Sequence, residues 1–320
     1  MKTVAQQIFE LGIVPVVKLD NAQDAVPLAK ALVAGGLRCI ELTFRTDAAE
    51  EAIRLVSKEV PEMLVGAGTV LNCEQIDRAI DAGAKFIVSP GFNEVTAKYC
   101  IEKNVPIIPG CNNPSSIEKA LELGLTNLKF FPAEQSGGLS MIKALCAPYT
   151  TIHFMPTGGV NENNLNEYLA FDKIIACGGT WMVKDSLIKE KRFDEVERIS
   201  REAVHKMLGF ELCHVGINCA NAAESAKEAK KLSALLGLPL SEKSASCFSG
   251  KEFEFMSGSG RGTNGHLAIA CNSVDRAYAF LSAQGYEFLE DTAKREPSGS
   301  LSFIYLKEEI GGFAIHLIRK

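Results

Sequence analysis

Residues 127–134 read Asn127-Leu128-Lys129-Phe130-Phe131-Pro132-Ala133-Glu134, a short apolar strand pattern with a lysine at its centre. An ammonium group in an apolar wall is costly unless it is paired, and a lysine that gives up its proton there becomes a nucleophile. The neighbouring strands decide whether such a lysine is structural or chemical.

Similar runs flank this one at intervals of about 20 to 25 residues: Ile13 to Val17, Cys39 to Thr43, Leu64 to Ala67, Phe86 to Ser89, Ile107 to Pro109, Ile152 to Pro156 and Ile174 to Cys177. With Asn127 to Phe131 they make eight expected strands. A leading helix is expected at Val4 to Leu11. Between the strands lie helical spacings such as Ala25, Leu28, Ala29, Leu32 and Val33, with Asn21, Asp47, Asn72 and Ser115 as N-cap candidates. Strands apolar on both faces and alternating with helices imply a parallel sheet. Eight units in about 200 residues fit a (β/α)8 TIM barrel, and the glycine fingerprint of a dinucleotide-binding sheet is absent.

In such a barrel, catalytic groups gather where the strands end. Strand two carries Glu41 and is followed by Arg45; strand three runs into Gly68-Thr69; strand four ends Ser89-Pro90-Gly91. Strand seven ends Thr157-Gly158-Gly159, with Asn161 expected to open a helix, and strand eight ends Gly178-Gly179-Thr180. Glu41 and Lys129 are the two charges in otherwise apolar strands. One reading is a buried ion pair that only holds the barrel together, although such pairs seldom outperform apolar packing. The other is a Schiff-base lysine beside a carboxylate that moves protons. The two glycine pairs suit a phosphate held by backbone N–H groups, where each alone would be only a turn.

The chain has 320 residues, enough for this barrel and a second domain of about 110. A net charge of −5 gives no footprint for nucleic acid. Neither a signal peptide nor an apolar run long enough to span a membrane is evident, so a cytoplasmic protein with no membrane partner is expected. Ten cysteines without a CxxC pair read as small buried thiols.

The motifs "ELTFRT", "GAGTVL", "IVSPG", "IPG", "LKFFPAE", "PTGGV" and "CGGTWMV" occur in order across residues 1–207. They resemble those of the family of 2-dehydro-3-deoxy-6-phosphogluconate (KDPG) and 4-hydroxy-2-oxoglutarate (KHG) aldolases. The resemblance implies a class I aldolase, usually a homotrimer, that needs no metal or other cofactor and cleaves a small-molecule substrate to pyruvate and glyceraldehyde 3-phosphate. By that resemblance Lys129 forms the Schiff base and Glu41 is the acid/base. Arg45 and Thr69 hold the pyruvate carboxylate, Pro90 and Phe131 wall the pocket, and Thr157 contacts the substrate chain. Gly158, Gly159, Gly179 and Thr180 cradle the phosphate. Two positions depart from the family pattern: Asn113 stands near a usual threonine, and Thr180 replaces a common serine.

Beyond residue 207 the pattern changes. A strand at Glu211 to Ile217, a helix at Ala222 to Leu236 and strands through Met256 are followed by the same order from Gly265 to Leu317, a duplicated βαβββ unit. Residues 208–320 resemble the glyoxalase and bleomycin-resistance fold, the vicinal oxygen chelate superfamily. That resemblance implies divalent-metal ligands at His214, Glu254, His266 and His316, the last position usually being a glutamate. Three of the chain's five histidines fall there, and histidine with carboxylate suits zinc, nickel, iron or manganese. Two rival functions follow: a metal-dependent isomerase or lyase reaction in this domain as the principal activity, or a non-catalytic ligand-binding or assembly module.

Overall fold

The computed structural model describes residues 2–320, which form two compact units, residues 2–207 and 208–320. In the first, helix α1 (Val4–Leu11) precedes strands β1 (Ile13–Val17), β2 (Cys39–Thr43), β3 (Leu64–Gly68), β4 (Phe86–Val88), β5 (Ile107–Ile108), β6 (Asn127–Phe130), β7 (His153–Pro156) and β8 (Cys177–Gly179). Strands β5-β4-β3-β2-β1-β8 make one parallel ladder and β6-β7 another. The ring closes through single bridges, Gly110 to Lys129 on one side and Thr157 to Gly178 on the other. The chain therefore forms the expected TIM-type barrel.

The barrel is filled in layers. Ile8 of α1, with Val14, Cys39, Leu64 and Phe86, belongs to one core cluster and is fully buried. Burying an aliphatic side chain of this size is worth roughly 1.5–3 kcal/mol. α1 is held by a reciprocal cap, Thr3 Oγ1 accepting from Gln6 N–H and Gln6 Oε1 from Thr3 N–H. Above that layer, Gly66 leaves room for the Phe86 ring, and Gly68 leaves room for Glu41.

Several local expectations are corrected. Strand eight begins at Cys177, not Ile174: the 174–176 run is buried, but pairing with β1 starts where Ile13 meets Cys177. Ser115 is not a cap. It lies inside α6 (Pro114–Glu122), because Pro114 takes the first helical turn and Asn113 accepts from Ser116 N–H at 3.1 Å. Asp47 also caps nothing; α3 (Ala49–Glu59) starts after Ala48 and carries Glu50 and Glu51 in its first turn, where acidic groups suit the helix dipole. Asn161 heads a turn, and the helix beyond it spans Leu165–Leu169.

The second unit contains β9 (Glu211–Asn218), a helix (Ala222–Leu236), β10 (Leu240–Glu242), β11 (Ser246–Ser249) and β12 (Phe253–Met256). The same order repeats as β13 (Gly265–Cys271), a helix (Val274–Ser282), β14 (Phe288–Arg295), β15 (Leu301–Ile310) and β16 (Phe313–Arg319). One sheet of order β10-β11-β12-β9-β13-β16-β15-β14 results. Each module pairs its first strand with its own last strand in parallel, and the two first strands meet antiparallel at the centre. Among the described residues no helix is long and apolar enough to cross a membrane. Eight of the ten cysteines are buried, Cys73 is partly buried and Cys213 is exposed.

Candidate active site and candidate metal centre

Strands β2 and β6 both point a charged side chain into the barrel. Lys129 Nζ lies 3.1 Å from Glu41 Oε1 and 3.5 Å from Oε2, with both side chains buried. The lysine also sits 5.4 Å from the centroid of the Phe131 ring. Glu41 is packed from β3: a Cβ built on Gly68 would lie 2.2 Å from Glu41 Oε1 and 2.7 Å from Cδ. Gly68 is thus part of the site although it contributes no functional group. The visible signal for it was a second glycine inside a short apolar strand, which marks close backbone or side-chain approach.

Beyond this pair the rim is polar. Arg45 Nε donates to Thr69 Oγ1 at 3.2 Å, and Thr69 has φ +55°. A β-branched residue in the left-handed region costs on the order of 1–3 kcal/mol, and such backbone clusters at functional sites. Pro90 and Phe131 line a cavity of about 330 Å³ with Gly110, Asn112, Asn113 and Lys119. Asn112 Nδ2 donates to the Phe131 carbonyl at 3.3 Å, a support that sequence reading missed. Asn113, besides capping α6, donates to Asn112 at 3.1 Å. The peptide between Phe131 and Pro132 is cis.

The expected phosphate cradle lies at the ends of β7 and β8. Gly158 and Gly159 have φ of +97° and +86°, which only glycine adopts freely. The Gly159 carbonyl accepts from Asn161 Nδ2 at 3.0 Å and Asn164 Nδ2 at 3.2 Å. A Cβ on Gly159 would come within 2.6 Å of Glu134 Cβ; Glu134 in turn accepts from the Tyr168 hydroxyl. A Cβ on Gly179 would meet the Trp181 ring at 1.8 Å, and Thr180 follows, exposed. Thr157 lies between the two turns with its hydroxyl oxygen buried and without a hydrogen-bond partner. The Glu134–Tyr168 brace was invisible in the sequence, because its partners are 34 residues apart.

A buried lysine touching a buried carboxylate at the C-terminal mouth of a (β/α)8 barrel is the apparatus of a class I aldolase, a lyase. The model of the family described as "Aldolase: KDPG and KHG aldolase" matches residues 4–199, and the chain belongs to that family. It is 49% identical over 201 residues to the 2-dehydro-3-deoxy-phosphogluconate aldolase of Haemophilus influenzae, covering 63% of this chain and 95% of that protein. It is 43% identical over 204 residues to the KHG/KDPG aldolase of Escherichia coli K12, covering 63% and 96%. Among solved structures, the KDPG aldolase of Legionella pneumophila, with pyruvate captured at low pH as a covalent carbinolamine intermediate, matches with a TM-score of 0.61. That match is 34% identical and covers 63% of this chain and 99% of that one.

In the second unit the four residues singled out as metal ligands converge. His214 Nε2 and His266 Nε2 are 3.1 Å apart, and each lies 3.2 Å from Glu254 Oε2. One ligand atom each from His214, His266 and His316 falls within 4.8 Å of the others. The register explains the convergence. Glu254 on β12 is opposite Gly216, two residues after His214; His316 on β16 is opposite Ala268, two residues after His266. Glu254 and His316 are therefore equivalent positions of the two modules. Gly216 carries no side chain because a Cβ there would lie 2.0 Å from the His266 ring.

The electrostatics of the group are uneven. Burial alone would raise the Glu254 carboxyl, but hydrogen bonds from His214, His266 and Ser246 hold it well below the usual range. Burial, with His266 and His214 beside it, pushes the His316 imidazole down to about 3. His316 Nδ1 is buried with no hydrogen-bond partner. A neutral imidazole with an orphaned nitrogen, two more histidines and an ionised carboxylate make a donor set that fits a divalent cation.

Proposed function

We propose that the barrel cleaves 2-dehydro-3-deoxy-6-phosphogluconate to pyruvate and glyceraldehyde 3-phosphate through an imine on Lys129. The observation that supports this reading most is the 3.1 Å contact between the buried Lys129 Nζ and the buried Glu41 carboxyl group. With its proton passed to Glu41, Lys129 Nζ adds to the C2 carbonyl; Glu41 returns the proton to the departing hydroxyl, and loss of water leaves a protonated imine. Glu41, through a water, removes the proton from the C4 hydroxyl. The C3–C4 bond breaks, its electron pair passes into the imine to form an enamine, and the aldehyde leaves. Protonation at C3 and hydrolysis then return the lysine and release pyruvate.

The remaining rim groups take roles suited to their chemistry. Arg45 and Thr69 hold the C1 carboxylate, charge-assisted by the guanidinium. Pro90 and Phe131 wall the three-carbon end, and Thr157 contacts the substrate chain. Gly158, Gly159, Gly179 and Thr180 receive the phosphate on backbone N–H groups and a hydroxyl. 4-Hydroxy-2-oxoglutarate, which yields pyruvate and glyoxylate, is a second substrate of the same apparatus. The enzyme acts as a cytoplasmic homotrimer assembled through the barrel.

Incubating the protein with pyruvate and borohydride is expected to leave a reduced three-carbon adduct on Lys129, located by peptide mass spectrometry. The phosphorylated substrate is expected to show the higher kcat/KM, by about tenfold or more, because charged hydrogen bonds to phosphate are lost with the shorter acid. An adduct on another lysine, or equal kcat/KM values, counts against the assignment.

Residues 208–320 are proposed as a glyoxalase-like domain that holds a divalent metal on His214, Glu254, His266 and His316, favoured by the orphaned His316 Nδ1. A bound metal would supply Lewis-acid polarisation of an oxygen ligand. EDTA is expected to strip the metal, read by elemental analysis, while pyruvate release by the barrel is unchanged. A chelator that stops cleavage contradicts the division of labour.

A further inference from the structure

We propose that Arg261 anchors a small carboxylate ligand at the centre formed by His214, Glu254, His266 and His316, an inference that rests on that centre holding a divalent metal. The loop of residues 257–264, Ser-Gly-Ser-Gly-Arg-Gly-Thr-Asn, is rich in residues that leave backbone free, yet it is pinned on both sides of Arg261. Asn218, the last residue of β9, accepts from Gly260 N–H at 2.9 Å and donates to the Gly262 carbonyl at 2.8 Å. Gly262 has φ +81°, and a Cβ there would lie 1.9 Å from the Gly265 carbonyl oxygen. The strand that supplies His214 thus also fixes the arginine.

The guanidinium lies over the Tyr305 ring, with Cζ 5.3 Å from the centroid. Tyr305 in turn packs against His316 at 4.9 Å between ring centroids and His266 at 6.5 Å. The cation is one aromatic ring away from the metal-binding group. Among the described residues its charge partner is Asp291, 3.8 Å distant and 77% exposed, an exposed pair worth little. The guanidinium therefore keeps donors for a ligand, and its planar fork matches a carboxylate in two parallel bonds. With a single carboxylate among its four protein ligands, a divalent ion keeps residual positive charge. Metal and arginine together favour a carboxylate with a neighbouring hydroxyl, the carboxylate on the arginine and the hydroxyl oxygen on the metal.

The test uses the full chain loaded with Co²⁺ and titrated with glycolate, followed through the visible bands of the bound cobalt. Glycolate carries a hydroxyl beside its carboxylate and has no ketone or aldehyde with which Lys129 can form an imine. Arg261 is 47% exposed, so replacing it empties no core. Arg261→Ala is expected to leave cobalt affinity within about twofold and to weaken glycolate about tenfold or more, with Arg261→Lys recovering part of the loss. Wild-type glycolate affinity in Arg261→Ala overturns the inference and leaves the metal reading standing. The absence of cobalt bands from the wild type removes both. Tighter perturbation of the bands by inorganic phosphate than by glycolate overturns the carboxylate assignment.

Discussion

Replacing Lys129 by alanine is expected to lower kcat for pyruvate release by about 10⁴-fold or more and to abolish borohydride trapping, because the nucleophile that divides the reaction into two easier steps is gone. The same change leaves the Glu41 carboxylate buried with its partner removed, which costs about 3–5 kcal/mol in comparable buried pairs. Activity alone therefore does not separate chemistry from folding. Lys129→Met combined with Glu41→Gln removes both charges and is expected to recover much of the thermal stability lost by Lys129→Ala while remaining inactive. Substantial cleavage by that double variant would sink the imine assignment and leave the pair as a structural ion pair.

The second large effect concerns the carboxylate, which can be removed chemically or displaced sterically. Glu41→Gln is expected to reduce kcat by about 10²–10⁴-fold, the usual scale for a general acid/base, with the pyruvate adduct still detectable on Lys129 by mass spectrometry. Gly68→Ala keeps Glu41 but places a methyl group 2.2 Å from where Oε1 now sits. The carboxylate must move, and a displacement of this size is expected to cost about 10²-fold in kcat. If Gly68→Ala turns over like the wild type while folded, the position of Glu41 is not what the reaction depends on.

The two units differ in how their sites are built. In the barrel, the lysine and the carboxylate come from β6 and β2, on well-separated parts of the ring, and meet because both side chains point inward at one level. In the second unit, duplication places equivalent strand positions on either side of a central antiparallel pair. An arrangement made in this way is nearly symmetric in position, and the pairing of Glu254 with His316 at equivalent register positions makes it chemically uneven.

Much of this was legible before any fold was known. Strands buried on both faces read as uninterrupted apolar runs, so seven of the barrel strands lay close to their expected places, and Glu41 and Lys129 stood out as charges within them. Strand eight was displaced because hydrophobicity marks burial, whereas a strand is defined by the partner it bonds to; Ile174 meets only a single bridge to Phe154. The helix starts at Asp47 and Ser115 were misplaced because several polar residues in a row can all accept a backbone N–H. Which one does so depends on where the chain enters the helix, and at α6 that is set by Pro114.

The sequence by itself determined the alternation of strands and helices, the duplicated second unit and the chemical types at each candidate position, because these follow from local periodicity and from the cost of burying a charge. Only the tertiary structure decided which groups touch. The Lys129–Glu41 contact spans 88 residues, the Arg45–Thr69 bond 24 and the Glu134–Tyr168 brace 34. Contacts of that kind depend on strand register and on the few places where glycine leaves space, neither of which leaves a periodic trace along the chain.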